Sequence, residues 1–197
     1  MTNPYPHHRQ NATAEASGEI RRLNWGCGGH PEPGWVNSDL KDDHPGIDVP
    51  CDIRDGLPLE DSSFDYVVSI HALPELPMTD LVGALRELRR VLKPGGVLRL
   101  GLPDLDRGIK AYLENDRDYF LIPDEDAATI GGKFVTQLLW YGWSRTLFTL
   151  DFTEELLRQA EYHKIVACSY RETKSRFPEI VELDSRERES FFVEAVK

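Results

Sequence analysis

Gly26, Gly28 and Gly29 fall within the stretch Asn24-Trp25-Gly26-Cys27-Gly28-Gly29, directly after a short segment over Arg21, Arg22, Leu23 and Asn24 that reads as the end of a strand. Glycine accepts positive φ and carries no side chain, so this backbone can turn tightly and lie against a ligand. Trp35-Val36-Asn37-Ser38-Asp39 then reads as a second short strand ending in an acid. A Gly-rich turn after one strand and a carboxylate at the tip of the next is the nucleotide-binding arrangement of open α/β sheets. In it the acid accepts hydrogen bonds from ribose hydroxyls. Glycine clusters also occur in turns that bind nothing, so the rest of the chain has to decide.

Two further groups of residues have chemistry to offer. His71 and Glu75 follow the run Phe64-Asp65-Tyr66-Val67-Val68-Ser69-Ile70. That run is a strand buried on both faces, and His71 and Glu75 lie past its carboxyl end, the edge that faces ligands in parallel sheets. An imidazole that titrates near neutrality suits a general base, which makes His71 the first candidate and Glu75 the second. The alternative for His71 is a ring bonded to backbone that only shapes a pocket. Trp140-Tyr141-Gly142-Trp143-Ser144-Arg145 is an aromatic cluster around a glycine. It is either core beneath a cap or a substrate wall whose rings stack on sugars or other rings. Trp140, Tyr141, Trp143 and Arg145 are the candidate substrate contacts.

The elements that must position these groups follow from periodicity and breakers. The usual nucleotide-binding unit places a helix between loop and acid. Here Asp39 follows Gly28 too soon, and Pro31 and Pro33 break any helix between them, so the first crossover is a loop. Ile47 to Ile53 reads as a third short segment. Leu81, Leu85, Leu88 and Leu92 recur at helical spacing behind Thr79 or Asp80 as a cap. Lys93-Pro94-Gly95-Gly96 ends that helix and reverses the chain into a strand over Val97–Leu102. Strand, helix, strand in this order is a parallel pair with a right-handed crossover. Helices are expected over Ile109–Tyr119, Ala127–Trp140 and Phe152–Glu161, the last capped by Thr153 or Asp151. Strands are expected over Lys164–Tyr170 and Ser190–Val196, and the Pro178-Glu179-Ile180 part of the polar link between them is expected to pack back on the body. Residues 1–18, rich in Pro, Asn, His and Thr, read as a flexible N-terminal arm. Residues 19–197 read as one domain, with a substrate-cap insertion over about 106–150.

Composition narrows the classes. A net charge of −11 argues against a phosphate-backbone partner, and the cluster Arg86, Arg89, Arg90 and Lys93 reads as a solvated helix face. Cys27, Cys51 and Cys168 form no C-x-x-C pair, so neither a zinc site nor a disulfide framework is indicated, and no other metal-ligand constellation is visible. Small thiols of this kind fit a reducing cytoplasm. No apolar run is long enough to span a bilayer, and no secretory h-region begins the chain.

Asn24 to Gly29, Asp39, Asp52-Ile53 before Phe64-Asp65-Tyr66-Val67-Val68, and Leu92-Lys93-Pro94-Gly95-Gly96 before a strand occur in this order. The arrangement closely resembles the class I S-adenosylmethionine-dependent methyltransferases over roughly Arg22 to Lys197. Gly-Trp-Val-Asn-Ser-Asp soon after the loop resembles a bacterial branch associated with glycan or natural-product pathways. The resemblance implies a Rossmann-like α/β fold with a seven-stranded, mostly parallel sheet and an antiparallel last strand. It implies S-adenosyl-L-methionine as cofactor. Asn24, Gly26, Cys27 and Gly28 would meet its methionine part, Asp39 with Leu40 its ribose, and Asp52 and Ile53 its adenine. Ser69 and His71 would lie near the methyl sulfonium. The family usually carries an acid where Asn24 stands and often a glycine where His30 stands. The Asn/Asp-Pro-Pro-aromatic sequence of amine methylases is missing after the fourth strand. With the acidic charge, this points to a small-molecule acceptor, an oxygen of a sugar or natural product, with no nucleic acid and no membrane partner. The other class of reading is a non-catalytic methyltransferase-like cofactor-binding or partner subunit. Oligomeric state, a homodimer included, stays open.

Overall fold

The computed structural model describes residues 20–41 and 44–197. The arm expected over 1–18 lies outside them. In chain order the strands are β1 (Arg22–Trp25), β2 (Val36–Asp39), β3 (Val49–Pro50), β4 (Phe64–Ile70), β5 (Leu92–Pro103), β6 (His163–Cys168) and β7 (Ser190–Val196). The helices are α1 (Leu81–Val91), α2 (Leu105–Leu113), α3 (Ile130–Leu139) and α4 (Leu150–Gln159), with several one-turn helices between them. The sheet order is β3-β2-β1-β4-β5-β7-β6. Strands β1 to β5 pair in parallel, and β7 runs antiparallel to both β5 and β6. This is the expected Rossmann-like sheet. The order reverses at β1 and β4, so a crevice for ligands opens at their carboxyl ends.

No helix joins β1 to β2. Asn37 holds that crossover instead. Its amide donates to the carbonyls of Glu32 and Trp35, and its oxygen accepts from the Glu32 backbone and from the Asn24 amide. One buried side chain thus ties both ends of the loop, doing the positioning that a crossover helix does elsewhere.

From Tyr66 onward residues alternate along β4 between two cores, as the strand period requires, and the register shift between Phe64 and Tyr66 puts Phe64 on the same face as Val67. Phe64 and Val67 pack with Leu81, Leu85 and Leu88 of α1 and Leu156 and Leu157 of α4. Tyr66 and Val68 face the other way, onto Trp35, Val97, Phe177 and Ile180. Among the described residues no long helix packs on that second face; the 169–189 link covers it, and Ile180 packs back as expected. Beneath the link, Arg99 of β5 is fully buried. It donates two hydrogen bonds to Asp184, at 2.7 and 2.5 Å, and one to Glu194 at 2.7 Å. A buried cation needs this degree of pairing to offset its lost hydration.

Several boundaries differ from expectation. β5 begins at Leu92, not Val97, because Leu92 pairs with Phe64 across a register shift. Helix α2 starts at Leu105 since Asp104 accepts from the Arg107 backbone as its cap, and it ends at Leu113 rather than Tyr119. Thr129 caps α3 and Thr149 caps α4, replacing Thr153 and Asp151 in that role. Asp80 occupies the cap position of α1 without a capping hydrogen bond. The Arg86, Arg89 and Arg90 cluster lies on a partly solvated face, with Arg86 exposed and Arg89 and Arg90 half-buried, and is tied to the body by hydrogen bonds. Arg86 and Arg89 donate to Gln159 and Glu161 carbonyls, and Arg90 to those of Leu57 and Leu59.

Candidate active site

The glycine turn is zipped to β2 through the backbone: Gly26 and Cys27 both donate to the Ser38 carbonyl, at 2.8 and 3.1 Å. Asp39, half-buried at the tip of β2, reaches back and accepts from the Gly28 backbone at 2.7 Å. Gly28 sits at φ +54°, and a Cβ placed on it or on Gly29 would meet nothing within 4 Å. The backbone is therefore bare on the side where a ligand would lie, with a carboxylate beside it. This open cradle fits the methionine and ribose parts of S-adenosylmethionine.

A Cβ on Gly26 would stand 2.0 Å from the Ala72 Cβ, so Gly26 lets the segment after β4 pack onto the turn, whereas Gly28 and Gly29 face open space. Cys27 is buried, with its thiol toward the Gly28 carbonyl. Asn24 is buried, and its amide donates to Asn37 and to the His30 carbonyl, so only its oxygen is placed to serve a ligand. Leu40 is 61% exposed, on the open rim.

Asp52 and Ile53 lie at the β3 end. Both Asp52 oxygens accept from Arg54, which holds its carboxyl below the ordinary aspartate range. The expected acceptor for an adenine amino group is thus already engaged by a neighbouring guanidinium. The Ile53 side chain packs in the main core. Ser69 is buried in β4, and its hydroxyl, like that of Ser38 in β2, has no hydrogen-bond partner among the described residues.

His71 is held in a rare backbone state, φ +59°, by its N–H donation to the Gly101 carbonyl. Its Nε2 is 2.7 Å from the Ser190 hydroxyl at the start of β7. Burial, with a smaller contribution from the Arg186 charge, pushes its pKa down to about 3. The expectation of titration near neutrality therefore fails, because desolvation disfavours the imidazolium. His71 is a neutral imidazole throughout the physiological range.

A cleft of about 660 Å³, counting its open mouth, lies between His71 and Glu75 on one side and α2 and α3 on the other. Tyr119, Phe120, Phe134, Trp140 and Trp143 give it an aromatic lining, and Glu75, Asp104, Arg186 and Glu189 are its charged groups. Of the four candidate substrate contacts, Trp140 and Trp143 line this cleft. Tyr141 and Arg145 do not line the cleft. Left-handed backbone at Trp140 and Tyr141 turns the Tyr141 ring outward, where its hydroxyl donates to Asp126 at 2.5 Å. The Arg145 side chain is exposed, and its backbone donates to the Pro74 carbonyl. Arg186, whose guanidinium lies 5.2 Å from the Trp140 ring centroid, and Ser190 were not singled out from sequence. Both sit more than a hundred residues after His71, and only the β5–β7 pairing of Pro103 with Ser190 brings that end of the chain here.

Residues 34–100 match a family described as a methyltransferase domain. A demethylmenaquinone methyltransferase from Staphylococcus haemolyticus is 32% identical over 125 residues, covering 58% of this chain and 47% of that one. The chain therefore spans about half of that relative's length. The fold is similar to an S-adenosylmethionine-dependent methyltransferase from Thermotoga maritima, with TM-score 0.57, 19% identity and coverage of 91% and 83%. It is also similar to one from Mesorhizobium loti, with TM-score 0.53, 17% identity and coverage of 90% and 91%. Residues 34–100 thus carry a methyltransferase-domain match, and the fold is similar to that of S-adenosylmethionine-dependent methyltransferases.

Proposed function

We propose that the protein transfers a methyl group from S-adenosylmethionine to a small-molecule acceptor, at a hydroxyl of a sugar, glycan or natural product. The observation that carries this reading is the Gly28–Asp39 clasp lying beside an aromatic cleft that His71 and Glu75 border. S-adenosylmethionine, when bound, supplies an activated methyl group on a good leaving group. The chain's task is to hold the acceptor in line and manage one proton.

In this reading Gly28 and Gly29 receive the donor against bare backbone, and Asp39 holds the ribose hydroxyls. Trp140 and Trp143 clamp the acceptor's flat or apolar body. His71 orients the hydroxyl. In the tautomer whose Nε2–H donates to the Ser190 hydroxyl, Nδ1 is the bare nitrogen left to accept the acceptor hydroxyl's hydrogen bond. Its low basicity makes it a hydrogen-bond acceptor first, and a proton acceptor only as the reacting oxygen becomes acidic. The relative named for demethylmenaquinone supports an acceptor of small-molecule size.

One observation favours the non-catalytic reading: the Asn24 amide is committed within its own loop. Calorimetry with S-adenosylmethionine and S-adenosylhomocysteine, followed by a turnover screen on sugars and phenols, separates the two. Binding with turnover is expected. Binding without turnover on any acceptor favours a cofactor-holding subunit, and binding of neither nucleotide removes both.

A further inference from the structure

The methionine half of S-adenosylmethionine is cationic, with a sulfonium and an ammonium. The glycine turn offers it no carboxylate, since Asn24 at the turn's entry is neutral and its amide is already bonded. The acids nearby are mostly committed. Asp52 is held by Arg54, Asp104 by Arg107, Glu189 by Arg186, and Asp39 accepts from Gly28. Glu75 is different. Among the described residues nothing donates a hydrogen bond to its carboxylate, and no cation stands within ion-pair distance of it.

Its backbone is fixed by the buried Leu73 and Pro74 before it, while Glu75 itself is exposed at the surface. Glu75 closes the one-turn helix Leu73–Glu75, its backbone donating to the Ala72 carbonyl. Ala72 is the residue that abuts Gly26, so this turn of helix is stacked directly on the glycine loop. The Glu75 side chain borders the aromatic cleft on one side. On the other it is within electrostatic reach of Asp39, Lys41 and Arg145. Lys41 in turn lies 5.0 Å from the Trp143 ring centroid, closing the same corner. Glu75 therefore stands at the junction of the donor rim and the acceptor cleft, where the two halves of a transfer reaction have to meet.

We propose that Glu75 is the counter-charge for the cationic methionine half of the donor, a cofactor-binding residue rather than a proton acceptor. This rests on the methyl-transfer reading above and deepens it. The carboxylate complements a positive charge arriving from the Gly28–Gly29 side, and it supplies the negative group that position 24 lacks. Partial burial and the nearby Asp39 charge both push its carboxyl up, against the weaker opposing pull of Lys41 and Arg145. An incoming cation relieves that unfavourable crowding of acids.

The test is titration calorimetry of the wild-type protein, Glu75→Gln and the double variant Asn24→Asp/Glu75→Gln, each with S-adenosylmethionine and S-adenosylhomocysteine. Glu75→Gln is expected to weaken S-adenosylmethionine roughly tenfold or more, with an unchanged melting temperature. The double variant is expected to recover part of that loss. A larger loss for S-adenosylmethionine than for S-adenosylhomocysteine, which keeps only the ammonium, puts the charge at the sulfonium; an equal loss puts it at the ammonium. Wild-type affinity in Glu75→Gln for both nucleotides, even with lower turnover, overturns the inference and leaves the methyl-transfer reading standing. Failure of the wild type to bind either nucleotide overturns that reading itself.

Discussion

The donor rim and the acceptor cleft sit side by side on one sheet edge and are built in opposite ways. The rim is local. Asn24, Gly28, Asn37 and Asp39 lie within one short crossover, and their hydrogen bonds run among themselves. The cleft is assembled from afar: His71 comes after β4, Trp140 and Trp143 from the insertion, Arg186 and Ser190 from the chain's last segment. The rim is largely backbone, which suits an invariant ligand. The cleft is made of side chains on a helical insertion, the part of an α/β fold that can change its acceptor without disturbing the sheet.

That contrast can be broken at chosen residues. Gly26→Ala has the largest expected effect, a stability loss of about 3 kcal/mol. It combines overpacking against Ala72 with left-handed backbone at φ +72°. Gly28→Ala, which has open space around it, is expected to cost much less in melting temperature while weakening the nucleotide. Equal melting temperatures for the two variants would contradict the separate roles given to these glycines.

His71→Ala comes next. Turnover is expected to fall about 100-fold, with nucleotide affinity unchanged by calorimetry. Because His71 is neutral well below pH 6, the wild-type rate should show no inflection from its titration between pH 5.5 and about 8. Stability carries the opposite signature. The unfolded imidazole takes up a proton as pH falls below its ordinary 6.5, while the folded one resists until about 3. The unfolded state binds more protons in that window, so His71's contribution is complete above pH 6.5 and is lost on acidification. Melting temperature should fall more steeply from pH 7 to 5 in the wild type than in His71→Gln. Parallel curves would show that the ring is not desolvated.

Trp143→Ala should raise the acceptor KM about fivefold to tenfold, through lost ring contact in the cleft and the lost Lys41 contact across its mouth. Tyr141→Phe should change acceptor KM by less than about twofold, because its hydroxyl serves Asp126 on the outer surface. A strong effect of Tyr141→Phe would mean that this ring turns inward when the acceptor binds.

The same contrast explains what could be read before the fold was known. The helix-free crossover, β4 and the Lys93-Pro94-Gly95-Gly96 reversal are written in neighbouring residues, through breakers and β-branched runs. So is the pairing of a glycine turn with Asp39. The different surroundings of the glycines were not legible, because Ala72 is remote from Gly26 in sequence and meets it only through the β1–β4 pairing. Nor was the neutrality of His71, since burial depends on Arg186, Ser190 and the aromatic insertion closing over it. Arg99 in an otherwise apolar strand was a signal that a buried acid must meet it. Which acids, Asp184 and Glu194, depends on how the 169–189 link folds back. The cap of α4 was misplaced because Thr149 competes with Asp151 and Thr153 for the same role, and the start of α2 was set at Ile109 rather than Leu105 because no cap was assigned to it.

The central claim is that Asp39, clasped to Gly28, holds the sugar of S-adenosylmethionine on the bare glycine backbone. Calorimetry of wild type and Asp39→Asn with S-adenosylhomocysteine tests it most directly, because no acceptor is needed. The account expects one site on the wild type and an affinity roughly 10-fold to 100-fold lower in the variant, at an unchanged melting temperature. Equal affinity in the two proteins would contradict it.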